Sequence, residues 1–457
     1  MKKNFLYLYT PLLTCVTIFL LVKIQGLGIR LSDTNIYFLT GKEILSGKIL
    51  YKDIFFTNFP VIPYTAAFYY LISAGNLLFY YFTALLEIIL TSGIIYYLSL
   101  KQSSSRLIAT STLSLYLFSF MILSTSSHQS GVFLAALFGV TSYLFYTRKN
   151  FYLVGIFAAL ALLTKAYTLP LLLSYLLLFI LNDRKALIHY IVGGVITAII
   201  VLLPSLIFAS HFLFLDVFSY SLTRSEGVSK AGIIYFLIQH DFLFISLLCA
   251  SIVFFERKSF FGFFAILSLA FFFLYKDVYY LYLNVTLPLI ILFFPLLNKK
   301  LSEKIILNRF MIPTIIFIFI SYNFISYFRG FDKLQIIPID QIVSLLKEKN
   351  ISTLYGINGI TPALSYKSNI PLLNGIIDTN DNIFRKGYLN ATTLTSDAIR
   401  QHSGVVTIGV WYPEEGIEQD VMTEIVDQKL LKTHCRLLQR FPFQSEGIIN
   451  SINVFSC

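Results

Sequence analysis

"LSDTNIYFLTGKEILSGKILYKDIFFTNFP" (residues 31–60) is the stretch on which the reading of this chain turns. It gathers Asp33, Asp53, Lys42, Glu43, Lys48 and Lys52 in a chain of 457 residues that is 56% hydrophobic and 13% charged. So much apolar surface exceeds what a soluble core uses, so the chain reads as an integral membrane protein and the stretch as its first polar loop. The run before it, "MKKNFLYLYTPLLTCVTIFLLVKI", starts basic and turns apolar as a secretory signal does. No small-residue cleavage motif follows and more apolar runs come after, so it is taken as a first helix.

A membrane-spanning helix takes roughly 20 apolar residues, and such runs recur to about Tyr327. Spans are expected near 5–26, 76–100, 106–124, 130–147, 151–164, 168–182, 187–209, 241–256, 259–275, 280–297 and 308–328, about eleven in all. The net charge of +11 is concentrated in the short gaps between them, at Lys2 and Lys3, Lys101 and Arg106, Arg148 and Lys149, Arg184 and Lys185, Arg257 and Lys258, and Lys299 and Lys300. That placement is a topology signal and gives no reason to expect a nucleic-acid partner. With these clusters inside, the chain is a multi-pass plasma-membrane protein with a cytoplasmic N-terminus, a large first outer loop over residues 27–75 and an extracytoplasmic C-terminal region. The run from Phe151 to Asn182 is flanked by "TRKN" and "NDRK", so it must cross twice. Its turn is expected at "TKAYTLP", where Pro170 ends a helix and Lys165 stands at the outer surface.

This topology puts a distinct set of polar residues on one side: Asp33 and Asp53, His128, Lys165, Arg224 and Glu226, His240 and Asp241, and Lys276 and Asp277. The inner gaps are too short to build a site. A site on the outer side, close to the lipid surface, follows.

The order Asp33, Tyr37, Gly47, Tyr51, Asp53, Pro60, Pro63 in the first outer loop resembles the GT-C superfamily of membrane glycosyltransferases, near the protein mannosyltransferase and aminoarabinose transferase group. "GIFAALALLTKAYTLPLLL" is similar to the stretch in which such enzymes carry a cation at the outer end of a short helix, here Lys165. "KDVYYLYLNVTLPLIILFF" resembles a later charged and aromatic segment that precedes a proline-containing span. The likeness covers about the first 330 residues and implies a fold, a substrate class and roles. Polyprenyl-phosphate-linked sugar is the implied donor, and a glycan, lipid or protein is the acceptor. Asp33 is the implied catalytic base. Tyr51, Asp53, Lys165, Arg224, Lys276 and Asp277 are implied in donor or acceptor binding. Two departures stand out. The loop "STSSHQSG" lacks the acid that many members carry there, and "TNFP" has no lysine beside the prolines where some relatives have one. A divalent metal is thereby left open, and no cofactor is otherwise called for.

The chemistry gives these residue types a reason. An acceptor hydroxyl must lose a proton as it attacks the anomeric carbon, which suits a carboxylate, and the departing lipid phosphate needs positive charge. Plainer roles stand beside each. Asp33 or Ser32 serves equally as an N-cap, Asp53 as a turn anchor, and Lys165 as a side chain snorkelling from a helix end. A transporter or flippase, or a polysaccharide polymerase or ligase acting on lipid-linked sugars, is the alternative. The chain shows no internal repeat, which a transporter usually has, and its large outer loop comes first.

Residues 331–457 read as a small α/β extracytoplasmic domain. "IDQIVSLLKEKN" and "IEQDVMTEIVDQKLL" are expected as helices. "STLYGI", "GVVTIGVWY", "CRLLQRFPF" and "IINSINVFSC" are expected as strands. "DTNDNIFRKGYLN" departs from a calcium loop, with Ile383 at the sixth position and Leu389 at the twelfth. Trp411 reads as a packed anchor. Cys15 and Cys249 fall in spans, while Cys435 and Cys457 bracket two strands that a turn at Ser445–Gly447 would bring together as a disulfide.

Overall fold

The computed structural model describes residues 2–24, 26–220, 227–254, 259–304, 311–330, 337–412, 417–420, 424–445 and 448–457. The first apolar run is helix α1 (Lys2–Ile24), and the first loop holds α2 (Asp33–Leu45) and α3 (Val61–Ile72). Then come α4 (Leu77–Ser103), α5 (Arg106–Leu117), α6 (Phe120–Thr125), α7 (Val132–Thr147), α8 (Phe151–Thr164), α9 (Leu169–Asn182) and α10 (Arg184–Leu213). They are followed by α11 (Lys230–His240), α12 (Phe242–Val253), α13 (Phe260–Leu274), α14 (Leu287–Ile291), α15 (Phe294–Lys304) and α16 (Met311–Gly330).

Among the described residues, Leu77–Ser103 and Arg184–Ser219 are long and apolar enough to cross a membrane, and α11 with α12, bent by 106°, forms a third candidate. The other apolar helices are shorter, at 10–17 residues. Along α10 the large apolar side chains point outward, with Ile200 66% and Ile207 63% exposed. A soluble protein would bury them, whereas lipid tails accept them.

The run from Phe151 to Asn182 breaks as expected. Thr164 ends α8, Lys165 is extended at φ −145° and ψ 126°, and Pro170 stands in the first turn of α9. Proline fits there because first-turn N–H groups have no partner within the helix. Packing of α8 against α10 depends on Gly155 and Gly193: a Cβ on either would run into the other helix's backbone at Tyr190 or Tyr152. Small residues allow this close approach.

Other runs differ from expectation. The expected span 106–124 is broken between α5 and α6, where the Asp241 carboxylate accepts the N–H groups of Phe120 and Met121 at 2.9 and 2.8 Å. The expected span 280–297 is a 3₁₀ turn, Tyr280–Val285, followed by α14 and α15, each with a proline near its start. Helix α11 precedes the expected span 241–256, and α3 lies within the first outer loop expected over 27–75.

Beyond residue 336, α17 (Ile339–Glu348) leads into a sheet of β1 (Leu354–Gly356), β2 (Gly404–Tyr412), β3 (Ile417–Asp420), β4 (Arg436–Ser445) and β5 (Ile448–Ser456). The strand order is β1-β2-β5-β4, with β3 also on β2. Helices α18 (Thr361–Ser368), α19 (Asp381–Arg385), α20 (Ala391–Arg400) and α21 (Gln428–His434) complete the region. The helix expected over 417–431 is a correction. Its first part is β3, with Glu418 opposite Trp411, and the helix starts only after Asp427, whose Oδ1 caps the N–H groups of Lys429 and Leu430.

The register of β4 on β5 sets Arg436 opposite Ser456, which brings Cys435 and Cys457 together in a disulfide with Cα atoms 4.1 Å apart. Replacing both cysteines with serine is expected to lower stability by about 2–4 kcal/mol. Denaturant unfolding of the full-length pair of proteins measures this, and coincident curves would show that the bond contributes nothing.

The hydrophobic core ignores the boundary at residue 330. One buried cluster unites Ile36, Phe38 and Tyr80 with Ile342, Leu364, Val406 and Ile452. Phe38 meets Tyr366 edge-on at 4.9 Å, and the Gly359 carbonyl accepts from Ser32 N–H at 3.1 Å and from Asn35 Nδ2 at 2.6 Å. The C-terminal region thus clasps the start of α2.

Candidate active site

Helix α2 begins at Ser32, whose hydroxyl accepts the Thr34 N–H at 3.1 Å. The cap is Ser32, so Asp33 is not needed for it, and the Asp33 side chain is exposed in the first helical turn. Four residues on, Tyr37 lies on the same helix face and is buried, at 3% exposure. The Tyr37 hydroxyl accepts a hydrogen bond from Lys165 Nζ at 3.3 Å. Burial, then the charge of Asp33, with Tyr282 and Asp378 behind it, holds the Tyr37 phenol well above its ordinary range. It therefore stays a neutral hydroxyl against the Lys165 ammonium.

Lys165 does not snorkel. It is only 5% exposed, and its ammonium also donates to Asn58 Oδ1 at 3.4 Å and lies 6.0 Å from the centre of the Tyr282 ring. Asn58 belongs to "TNFP", the place where the resemblance expects a lysine. The missing charge arrives there from 107 residues further along the chain.

The remaining expected residues divide. Tyr51 is buried at φ 69°, and its hydroxyl donates to the Asn58 carbonyl at 2.8 Å, so it supports the turn that meets Lys165. Asp53 is exposed, and its carboxylate accepts the Ile49 N–H at 2.8 Å, closing its own turn. Asp277 is buried, and its carbonyl accepts from the Tyr167 hydroxyl at 2.9 Å. Lys276 is exposed and takes the Gly227 N–H on its carbonyl at 3.2 Å. Arg224 lies outside the described residues.

Sequence reasoning missed three participants. Asn58 was noted only for what it replaces. Asp378 comes from the stretch rejected as a calcium loop, and its Oδ1 accepts from Asn380 N–H at 3.0 Å and Asn358 Nδ2 at 3.5 Å. Asn358 adjoins Gly359, the residue clasping Ser32, which brings this second carboxylate toward the start of α2. Gln129, in "STSSHQSG", bonds Thr34 next to Asp33. Only the polar character of that loop hinted at it. Among the described residues no three His, Cys, Asp or Glu side chains converge as metal ligands.

No family model and no curated protein matches the chain. Among solved structures it is similar to ArnT from Cupriavidus metallidurans bound to undecaprenyl phosphate, with a TM-score of 0.59 at 12% identity over 98% of each chain. The apo state of ArnT gives 0.58 at 12% identity over 97% of each. At that identity the likeness shows the fold alone: this chain shares the fold of ArnT.

Proposed function

We propose that this protein moves a sugar from a polyprenyl-phosphate donor to a glycan, lipid or protein acceptor on the extracytoplasmic side of the plasma membrane. The observation that carries the reading is the buried Lys165 ammonium held between Tyr37 and Asn58, on the helix face that carries Asp33. Asp33 takes the proton of the acceptor hydroxyl while its oxygen attacks the anomeric carbon. The bond from that carbon to the phosphate oxygen breaks, and the charge left on the lipid phosphate is stabilised by Lys165. A transporter would string its charges along a path through the membrane, whereas here the lysine bonds a tyrosine that feels the charge of Asp33 one helical turn away. The GT-C fold shared with a protein bound to undecaprenyl phosphate agrees with such a donor. The disulfide agrees with an oxidising location for the C-terminal region, as the positive-inside reading requires.

The test is the purified full-length protein with a panel of polyprenyl-phosphate sugars and acceptors. Free polyprenyl phosphate should appear in step with glycosylated acceptor for at least one donor. Folded protein that releases none from any donor would overturn the reading.

A further inference from the structure

The loop "STSSHQSG", which lacks an acid of its own, is held from below by one. Glu87, on α4 and 1% exposed, accepts from Gln129 Nε2 at 2.7 Å, and Thr83, one turn away on the same face, accepts from the same nitrogen at 3.0 Å. The other end of that amide is also occupied, since Gln129 Oε1 accepts the Gly131 N–H at 2.8 Å. A carboxyl oxygen that accepts on one side and an N–H that donates on the other leave the amide a single orientation.

Both outcomes of this locking reach the site. Gln129 N–H donates to Thr34 Oγ1 at 2.9 Å and the Thr34 hydroxyl donates back to the Gln129 carbonyl at 3.2 Å, fixing the residue beside Asp33. Gly131 stands at φ +76°, and a Cβ there would lie 2.5 Å from Ile62 Cδ1 and 3.5 Å from Lys165 Cε, so its bare backbone is the surface on which the lysine stem rests. One buried glutamine therefore touches the supports of both the carboxylate and the ammonium.

We propose that Gln129, oriented by Glu87, is a positioning residue that sets the spacing between Asp33 and Lys165. The inference rests on the transfer reading above. Misplacing a reacting group by about 1 Å costs on the order of 10²-fold in rate, so the pair should be read in kcat. Gln129→Glu removes the Nε2 donor and sets a second carboxyl group against that of Glu87, and should lower kcat about 10- to 100-fold, with the donor KM changing less than about threefold. Exchanging the two groups, Glu87→Gln with Gln129→Glu, restores a donor opposite an acceptor and still offers an oxygen to Gly131. That double variant should regain at least about a third of the unaltered kcat, a recovery that independent losses cannot produce.

The experiment measures kcat and donor KM for the single variant, the exchanged pair and Asp33→Asn, with thermal unfolding on each. An exchanged pair that folds yet is no faster than Gln129→Glu, or a Gln129→Glu protein with unaltered kcat, overturns the inference alone so long as Asp33→Asn is inactive. If Asp33→Asn is as active as the unaltered protein, the transfer reading falls and the positioning role with it.

Discussion

Asp33→Asn is expected to lower kcat for sugar transfer by about 10²- to 10⁴-fold, the usual contribution of a positioned general base. The amide has the same shape as the carboxylate and no basicity. The helix start survives, because Ser32 makes the cap. Among the described residues Asp33 accepts no hydrogen bond that the amide would break. What is lost structurally is one negative charge in the first turn of α2, a favourable interaction with the helix dipole of about 0.3–1 kcal/mol. Donor KM and melting temperature should therefore stay close to those of the unaltered protein. Single-turnover measurement with saturating lipid donor separates the chemical step from binding. An amide variant with full turnover would return Asp33 to a surface role.

Lys165→Ala is expected to cost about 10²- to 10³-fold, the scale for removing a group that stabilises developing charge. The loss should fall on donor kcat/KM more than on the acceptor dependence, because the charge in question is that of the leaving phosphate. Truncation also strips the hydrogen bonds to Tyr37 and Asn58 from a lysine that is 5% exposed, so the single variant confounds charge with packing. The neighbouring Asn58 resolves this. Its Oδ1 lies 3.4 Å from the ammonium, so Lys165→Ala with Asn58→Lys returns a cation to the same place from the opposite element. At least about tenfold recovery over the single variant is expected, since a relocated charge keeps most of its Coulomb interaction over a displacement of a few ångströms. An Asn58→Lys addition that restores stability without turnover would assign Lys165 to packing.

Local features were legible where local chemistry determines them. Pro170 in "TKAYTLP" fixes the break between α8 and α9, since a proline interrupts a helix wherever the chain runs. Alternation and a short turn gave the β4 and β5 pair and with it the Cys435–Cys457 bond. The first part of "IEQDVMTEIVDQKLL" misled because Ile417–Asp420 pair with β2, a partner that helical periodicity does not reveal. Lys165 and Asp33 could be nominated from the sequence, but the contacts of Lys165 with Tyr37 and Asn58 could not, because they join separate elements. The Glu87 and Gln129 contact was invisible for the same reason: an acid in an apolar helix shows that a partner is needed and not where it comes from.

The clasp between Gly359 and the start of α2 carries a cost in time. The carbonyl that Asn35 needs is made 324 residues after it, and at about 5–20 residues per second that is a wait of roughly 15–65 s. Throughout that interval Ile36 and Phe38 have Tyr70 and Tyr80 beside them but lack the part of their cluster that Ile342 and Leu364 later supply. A ribosome stalled short of Gly359 would hold a protein with its helices already laid down and its first loop uncovered. Completion of this fold is thus expected to wait for the last quarter of the chain, and pulse-chase proteolysis should find the first loop cleavable until then.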